Sequence, residues 1–383
     1  MDFALTDEQR MYRAAVRDFV DKEIKPFATE VDQKGELRWE AVAKMPALGL
    51  TGLQVPEEYG GAGLDSVSAA IALEEIARGC GSTGLAVAAH NGLCCTPIVK
   101  WGSAEQKQKY LPTLTNGKAL GSLALTEPGA GSDLAGGVRT TAVKEGDSWI
   151  IDGSKTWITN ATSAPVVVSL VRTNSYADKP SRGLSLIIVE GNAEGFTVEQ
   201  PIHKFGVRGS HASPLTYDGV RVPLENLLGQ EGEGLHQTLQ TLDGGRIGIA
   251  AVSLGLAQAA LDEAVKYTNE RETFGVKLAQ HEAVQFKIAE MATRIEYSRW
   301  LTYHAAWVKD QGRDFSREAA MAKLTASETS EFCAFEAIQL HGGYGYSTEF
   351  PVERIYRDQR LMSIGEGANE ILKLVIARRV LNL

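Results

Sequence analysis

Residues 123–133 read Leu-Ala-Leu-Thr-Glu-Pro-Gly-Ala-Gly-Ser-Asp, and the expected fold depends on this stretch more than on any other. Three apolar residues lead into a turn that contains Pro128, Gly129 and Gly131. Proline fixes its own φ, and glycine lets the backbone approach a flat or anionic group closely. The polar groups of the turn are placed to converge on one ligand; they belong to Thr126, Glu127, Ser132 and Asp133. The alternative is an ordinary tight turn after an edge strand.

The composition is that of a globular protein. The 383 residues are enough for two or three domains that share extensive cores. Hydrophobic residues make up 44% of the chain and charged residues 23%, with a net charge of −9. No run of lysine and arginine marks a nucleic-acid surface, and no apolar stretch reaches the roughly 20 residues of a membrane helix. We therefore expect neither nucleic acid nor a membrane as a partner.

The cysteines and the N-terminus favour a cytoplasmic protein. Cys94 and Cys95 are adjacent, and with Cys80 and Cys333 they form no Cys-x-x-Cys motif and no disulfide framework. Such a set is typical of a reducing compartment. The first residues carry neither a basic region nor an arginine-rich leader.

The hydrophobic pattern changes twice along the chain. Residues 1–120 are helical in pattern, with a capping box at Thr6 and a nearly continuous apolar helix over 85–99. Residues 121–230 contain short β-rich runs whose turn spacing predicts an antiparallel barrel or sandwich. Residues 231–383 return to long helices, which predict a four-helix bundle; these helices cover 236–271, 281–309, 316–340 and 369–381. The fold class is therefore α+β multidomain.

A second informative segment is 364–371, which reads Ile-Gly-Glu-Gly-Ala-Asn-Glu-Ile. Glycines on both sides of Glu366 allow a backbone bend that points this carboxylate away from the chain. An apolar helix begins immediately afterwards. The alternative is that Glu366 only balances the dipole at the start of that helix.

Motifs of several other chemistries are missing from the sequence. Leu134 stands where the third glycine of a Gly-x-Gly-x-x-Gly motif would fall, and neither a P-loop nor a Gly-x-Ser-x-Gly elbow occurs. Residues 281–282 begin like a zinc-binding helix, but Gln285 takes the place of the second histidine. We expect no metal site.

The two segments and the α–β–α order resemble the acyl-CoA dehydrogenase family over essentially the whole chain, in its short-chain, butyryl-CoA dehydrogenase-like type. The resemblance implies an oxidoreductase and flavoprotein of β-oxidation that binds FAD and an acyl-CoA. It also implies that electrons pass to an electron-transferring flavoprotein, and that the chain forms a homo-oligomer, as a dimer of dimers.

The same resemblance implies the role of Glu366. This residue would abstract the α-proton of the thioester while hydride leaves Cβ for flavin N5. A glutamate is a competent base only when desolvation raises its pKa. The enolate needs donors at the thioester carbonyl, which the family takes from the backbone N–H of this glutamate and a ribityl hydroxyl. In a second subgroup the base falls near Gly245, and glycine there leaves Glu366 as the matching candidate.

The resemblance also carries over cofactor contacts. The flavin ring would lie against 123–132, and the segment around Trp157 would pack on it; without the motif, this tryptophan would be read as a core aromatic. A second group would reach the FAD of a neighbouring subunit, with a helix C-cap as the alternative reading of Gly342. The residues expected to bind the cofactor are Leu123, Leu125, Thr126, Gly131, Ser132, Trp157, Thr159, Arg271, Phe274, Gln339, Gly342, Gly343, Ala368 and Asn369.

Departures from the family bear on the substrate. Gly365 replaces a tyrosine that often precedes the base, which enlarges the pocket and predicts a short, branched or alicyclic acyl group. Ala368 replaces a threonine and Glu282 a glutamine, both near the cofactor. His90 and Asn91 could bind a polar acyl tail; the alternative is that His90 is a satisfied helix histidine. The residues expected to bind substrate are Ser132, Asp243, Arg246, Gly365, Gly367, His90 and Asn91.

Other activities on the same fold remain as alternatives. A flavin-dependent oxidase or monooxygenase would use oxygen, and a glutamate at the family's base position argues against it. A decarboxylating or desulfinating lyase of this fold would need an arginine near the acyl end, and residues 85–99 contain none.

Overall fold

The computed structural model describes residues 4–174 and 179–383 of the chain. The first part is helical, as predicted. Its helices are α1 (Asp7–Glu23), α2 (Ala28–Lys34), α3 (Trp39–Val42), α4 (Ser66–Gly79), α5 (Gly81–Ala89), α6 (Thr96–Trp101) and α7 (Ala104–Thr115). At the start of α1, the Thr6 hydroxyl accepts from the amide of Gln9, and the Gln9 side chain accepts from the amide of Thr6. The predicted capping box is therefore present.

The apolar stretch over 85–99 is buried and helical, but it is not one regular helix. A π-helical segment over His90–Cys95 separates α5 from α6. Such wide turns occur frequently at functional sites, because they re-aim side chains within a helix.

The middle part is built on one sheet. Its strands are β1 (Ser122–Ala124), β2 (Thr141–Glu145), β3 (Ser148–Thr159), β4 (Val166–Arg172), β5 (Leu184–Glu190), β6 (Phe196–Val198), β7 (Ala212–Pro223) and β8 (Leu227–Leu228), and a short helix, α8 (Leu134–Gly137), follows β1. The order is β6-β7-β3-β2-β4-β5-β8, with β1 beside β4.

The sheet is mixed, where the turn spacing predicted antiparallel pairing. Consecutive strands such as β4 and β5 do pair antiparallel. β1 instead pairs in parallel with β4, with Ser122 opposite Val167, and β2 meets β4 in parallel at one position. The spacing of turns reports the hairpins between neighbours in sequence, and it carries no signal for a strand that joins a distant one.

The last part contains the predicted long helices, with ends within two residues of those expected. They are α9 (Gly234–Glu270), α10 (Glu282–Asp310), α11 (Ser316–His341) and α13 (Asn369–Leu381). A two-stranded hairpin of β9 (Glu272–Thr273) and β10 (Val276–Lys277) links α9 to α10. The short helix α12 (Pro351–Gln359) was not predicted.

The first and last parts share a hydrophobic core. α9 packs against α4, α10 and α11, so a helix of the first part lies among those of the last. Buried residues of this core include Ile71 of α4, Leu254 of α9 and Met291 of α10. α9 is long and apolar enough to cross a membrane by length and composition, but 72% of that stretch is buried inside the protein. It is therefore a core helix here.

Candidate active site

Glu366 lies in a strained loop between α12 and α13. Its φ is 51° and that of Gly367 is 99°, which are left-handed values that a non-glycine residue adopts at a cost of about 1–3 kcal/mol. The residue as a whole is half-buried, but its Oε2 atom is fully buried and has no hydrogen-bond partner among the described residues. Strain and an unsatisfied carboxylate oxygen at one position indicate a functional group.

The carboxylate of Glu366 faces a bare patch of α9. A Cβ atom added at Gly245 would lie 2.2 Å from Oε2 of Glu366 and 2.9 Å from the side chain of Leu93. Only glycine at position 245 therefore leaves room for the carboxylate. The structure brings together the two positions that the sequence offered for the base, one occupied by glutamate and the other by glycine.

Two cations lie near this carboxylate. Burial raises the pKa of Glu366 to about 7, and Lys323 and Arg246 oppose the rise. Arg246 is buried, forms an ion pair with Asp243 at 2.5 Å, and lies next to Gly367. Its Nε atom has no hydrogen-bond partner among the described residues. The structure thus groups Asp243, Arg246 and Gly367 with Glu366, as the sequence suggested.

A small cavity extends from Gly245 along the inside of the helices. It measures about 40 Å³ and reaches Gln54 and Lys309, whose side chains hydrogen bond at 2.8 Å. The apolar part of its lining comes from Leu53, Ala69, Ala70, Leu73, Ala88 and Ile247. The cavity thus begins at Gly245, the residue against which the carboxylate of Glu366 lies.

The turn after β1 is anchored from behind by a buried ion pair. Lys155 of β3 donates to the carbonyl of Leu125 and to Glu127, at 3.1 and 2.9 Å. Glu127 also accepts from the amides of Arg139 and Thr140. Burial lowers the pKa of Lys155 to about 8, and the carboxylate beside it opposes that fall. Glu127 therefore holds the turn in shape.

Two of the turn's polar side chains thus have internal roles, where the sequence suggested that all four face a ligand. Besides Glu127, Asp133 accepts from the amide of Gly136 and caps α8. The cause is topological, because β3 brings a lysine under the turn from 28 positions further along the chain. Of the other two polar side chains of the turn, Thr126 is half-buried and Ser132 is exposed.

The outer side of the turn is open. A Cβ at Gly129 or Gly131 would meet nothing within 4 Å, so neither glycine is needed for packing within the chain. Trp157 lies in a β-bulge of β3, with φ at 61° and 56% of its surface exposed. The bulge is held against the turn, because Thr156 donates to the carbonyl of Thr126. Trp157 is therefore not a core aromatic. An open backbone cradle beside an exposed, strained indole fits a flat cofactor such as FAD.

The second predicted cofactor group lies on an exposed face. Phe274 is 97% exposed, and the Arg271 guanidinium lies 6.0 Å from the ring of Tyr344. Arg271, just before the hairpin of β9 and β10, is thus adjacent to the turn that follows α11, which contains Gly342 and Gly343; Gln339 lies in the last turn of α11 itself. Gly342 has a φ of 59° and caps the C-terminus of α11, which is the alternative that the sequence offered for it.

Two predicted ligand contacts turn inward. His90 accepts from the amide of Gly121 at 2.8 Å and lies 2.9 Å from the carbonyl of Thr51, and burial lowers its pKa to about 4. Asn91 bonds the backbone of Leu53, Leu50 and Val87. A polar acyl tail would have to break these bonds, so both side chains are already satisfied within the protein, although Asn91 also lies in the lining of the cavity beside Gly245.

Asn369 also has an internal role. Its side chain lies against Lys323 and Ser327, at 3.2 and 3.1 Å, and it is buried. The cofactor contact predicted for it is therefore not open to that side chain. Ala368 is half-buried and precedes α13 without a side-chain cap.

Sequence reasoning missed three lysines around this site: Lys155 and Lys323 are buried, and Lys309 is half-buried. The chain does carry a signal for one of them. Lys323 stands on α11 among Ala319, Ala320, Ala322 and Ala326, all fully buried. A lone lysine on an apolar helix face is a sign of a buried charge with a specific partner.

Known proteins of similar sequence and structure agree with these observations. Models of the N-terminal, middle and C-terminal domains of acyl-CoA dehydrogenase match residues 6–118, 122–220 and 232–381. The chain is 49% identical to the probable acyl-CoA dehydrogenase YngJ of Bacillus subtilis, over 100% of each. It is 46% identical to the human mitochondrial short-chain specific acyl-CoA dehydrogenase, over 98% of this chain and 91% of that one.

Solved structures give the same result. Butyryl-CoA dehydrogenase from Megasphaera elsdenii superposes with a TM-score of 0.96 at 39% identity, over 100% of both chains. A chain from a study of the electron transferring flavoprotein of Acidaminococcus fermentans superposes with a TM-score of 0.97 at 41% identity, again over 100% of both. Family models and full-length relatives together establish that the protein belongs to the acyl-CoA dehydrogenase family and is an FAD-dependent oxidoreductase.

Proposed function

We propose that the chain catalyses the α,β-dehydrogenation of a short acyl-CoA, with Glu366 as the base that takes the α-proton. The observation that carries this proposal is the buried, unpartnered Oε2 of Glu366, aimed at the bare backbone of Gly245 beside the acyl cavity. The printed names of two relatives, a short-chain specific enzyme and a butyryl-CoA dehydrogenase, support a short substrate.

The chain's own residues prepare the proton transfer. Burial keeps the carboxylate of Glu366 basic enough to accept a proton near neutral pH, while Lys323 and Arg246 keep its ionised form accessible. The backbone N–H of Glu366 would donate to the thioester carbonyl. FAD, when bound against the 123–133 turn, Trp157 and Thr159, supplies the acceptor for the electrons of the β-hydrogen.

The size of the cavity supports a short acyl group. Its volume of about 40 Å³ has room for only a few atoms beyond the reacting carbons. Beyond this space, Gln54 and Lys309 present a polar end, and burial lowers the pKa of Lys309. A longer apolar chain would press against this polar pair and bury it further, which is unfavourable.

Gly365 supports a branched or alicyclic group at the carbons near the base. Its φ is not left-handed, and a Cβ there would lie 3.6 Å from Leu361, an ordinary contact. Backbone conformation and packing therefore do not require glycine at this position. The missing side chain leaves space beside Glu366 that a substituted acyl group can fill.

Gly365→Tyr should narrow the substrate range. We expect anaerobic flavin bleaching by straight short-chain thioesters to stay within a few-fold of the parent, and bleaching by branched or cyclic ones to fall at least about tenfold, which is what loss of fit in a pocket typically costs. The measurement is kcat/KM over a panel of CoA thioesters. A uniform fall across the panel would show that glycine is required for the backbone conformation at position 365, and that space there does not set the substrate range.

The protonation of Glu366 should limit the reaction at low pH. Because the base must be ionised in the free enzyme, kcat/KM should fall about tenfold per pH unit below a midpoint near 7, the pKa of this carboxyl. An ordinary glutamate would place that midpoint near 4.5. The measurement is flavin bleaching under single-turnover conditions between pH 5 and 9 (about two units either side of the midpoint). A flat profile down to pH 5 would exclude the buried carboxylate as the base.

We also infer that electrons leave through an electron-transferring flavoprotein. A chain of closely similar structure comes from a study of such a flavoprotein, which supports this partner. An oxygen-uptake assay separates the proposal from the oxidase alternative, because an oxidase would be reoxidised by oxygen without any partner protein.

The exposed group at Arg271 and Phe274 suggests a cofactor site completed by a second copy of the chain. Both residues are exposed, and Arg271 lies near Tyr344 in the turn that follows α11, where a neighbouring chain can be reached. We therefore propose a homo-oligomer, as a dimer of dimers. Four free, buried cysteines suit the reducing cytoplasm, where we propose that it acts.

A further inference from the structure

Lys323 is the fully buried lysine behind the Glu366 loop. None of its surface is exposed, and its ammonium donates to the carbonyl of Gly367 at 2.8 Å and to Oδ1 of Asn369 at 3.2 Å. Burying an ammonium group is costly unless it is paired and hydrogen bonded. A lysine kept here, on a buried helix face with Ala319, Ala320, Ala326 and Ser327, therefore needs a compensating role.

The loop that Lys323 holds needs external support. Glu366 and Gly367 are both left-handed, and such a conformation persists only where the surroundings impose it. The bonds of Lys323 tie Gly367, the second left-handed residue, and Asn369, the first residue of α13, to α11. Ser327, one turn further along α11, binds Asn369 as well. These contacts place the peptide that follows Glu366.

The charges around Glu366 come from three helices. α9 contributes Arg246, which is paired with Asp243, and Asp243 in turn is close to Asp314 and Arg379. α13 contributes Glu370, which is exposed. α11 contributes Lys323. Burial lowers the pKa of this lysine to about 8, and the nearby Glu366 carboxylate opposes that fall. Arg246 already has a carboxylate partner, whereas Lys323 forms no ion pair with a carboxylate among the described residues, and its hydrogen bonds go to Gly367 and Asn369.

On the basis that Glu366 is the base, we propose that Lys323 is a positioning residue for α-proton abstraction. Its ammonium holds the backbone after Glu366 in place and supplies the positive charge that favours the ionised carboxylate. The two effects are separable, since the first depends on hydrogen bonds to Gly367 and Asn369 and the second on charge alone.

The test compares Lys323→Met with Lys323→Arg. The methionine removes both the charge and the bonds, so the acidic midpoint of single-turnover flavin bleaching should rise by about one pH unit or more, as loss of a nearby opposite charge predicts. The rate at pH 8 should fall about 10- to 100-fold, because the carboxylate is no longer held in place. Lys323→Arg keeps the charge, and its midpoint should stay near that of the parent even where its rate falls.

Two further measurements make the result specific. Lys373→Met removes the same charge from an exposed site on α13, and it should leave the midpoint unchanged. Difference infrared spectra of the FAD-loaded protein, with the Glu366→Gln variant as reference, follow protonation of the carboxyl directly and should show the same rise. Should Lys323→Met not fold, Lys323→Gln removes the charge while keeping a donor for Gly367, and the same shift is expected.

A midpoint that stays at the parent value in a folded, FAD-containing Lys323→Met or Lys323→Gln protein would overturn the proposal. That result is distinguishable from failure of the proposed function. If Glu366→Gln still reduces flavin, the base is another residue; if only the lysine variants behave as the parent does, Glu366 stands and Lys323 is merely structural.

Discussion

Glu366→Gln should lower the rate of flavin reduction by an acyl-CoA by at least about 10²–10⁴-fold, which is the usual cost of losing a positioned general base. Glutamine keeps the volume of the side chain and the backbone N–H, but it cannot accept a proton. Among the described residues, no side chain is hydrogen bonded to the buried Oε2 atom, so no neighbouring group is placed to accept the proton instead. Stopped-flow bleaching under anaerobic conditions isolates this step from electron transfer to a partner.

The matched control is Glu370→Gln, four positions further along on α13. That glutamate is exposed, so the same chemical change should leave bleaching within a few-fold of the parent. Binding of the CoA thioester, measured by the shift of the flavin spectrum, should survive in Glu366→Gln. Bleaching by Glu366→Gln at a rate close to the parent's would mean that the base has been assigned to the wrong residue.

Gly245→Ala should have the next largest effect, although the change adds a single methyl group. The new Cβ would lie 2.2 Å from Oε2 of Glu366, far inside van der Waals contact, so the carboxylate must move. A displacement of the base by about 1 Å can cost on the order of 100-fold in rate. Overpacking of this kind also destabilises a fold by about 1–3 kcal/mol. The readouts are single-turnover bleaching and thermal unfolding of the FAD-containing protein.

The neighbouring glycine provides the comparison. At Gly244 an added Cβ would meet only the Nζ atom of Lys309, at 3.9 Å, which is an ordinary contact. Gly244→Ala should therefore lose much less activity than Gly245→Ala, and alanine should favour the helix by about 1 kcal/mol over glycine. Equal losses of bleaching rate in the two variants would show that alanine perturbs helix α9 itself. Contact with Glu366 would then not be the cause of the loss.

The local elements could be predicted well from the chain. Thr6 and Gln9 formed the expected capping box, and the long helices of the last part ended within two residues of the predicted limits. These features depend on side-chain periodicity and on hydrogen bonds within three or four residues, both of which a sequence states directly. The bend of the Gly-Glu-Gly segment belongs with them, because Gly367 adopts the left-handed conformation that glycine permits.

Features that depend on distant partners could not be predicted. Glu127 looked like a ligand contact, but Lys155 arrives beneath it from β3. His90 looked available for substrate, but the backbone of Thr51 and Gly121 takes both of its ring nitrogens. In each case the side chain's chemistry was read correctly, and its direction was decided by a partner at least 28 positions away.

The sequence by itself thus determined the family, the order of the helical and β-rich parts, and the identity of the candidate base with its flanking glycines. Only the tertiary structure decided how that base is held: Gly245 leaves its carboxylate the space to lie against α9, and Lys323 ties the loop after it to α11. The physical reason is that a buried charge takes its acidity and its direction from everything packed around it. Those neighbours come from helices that are far apart in the chain and meet only when the core forms.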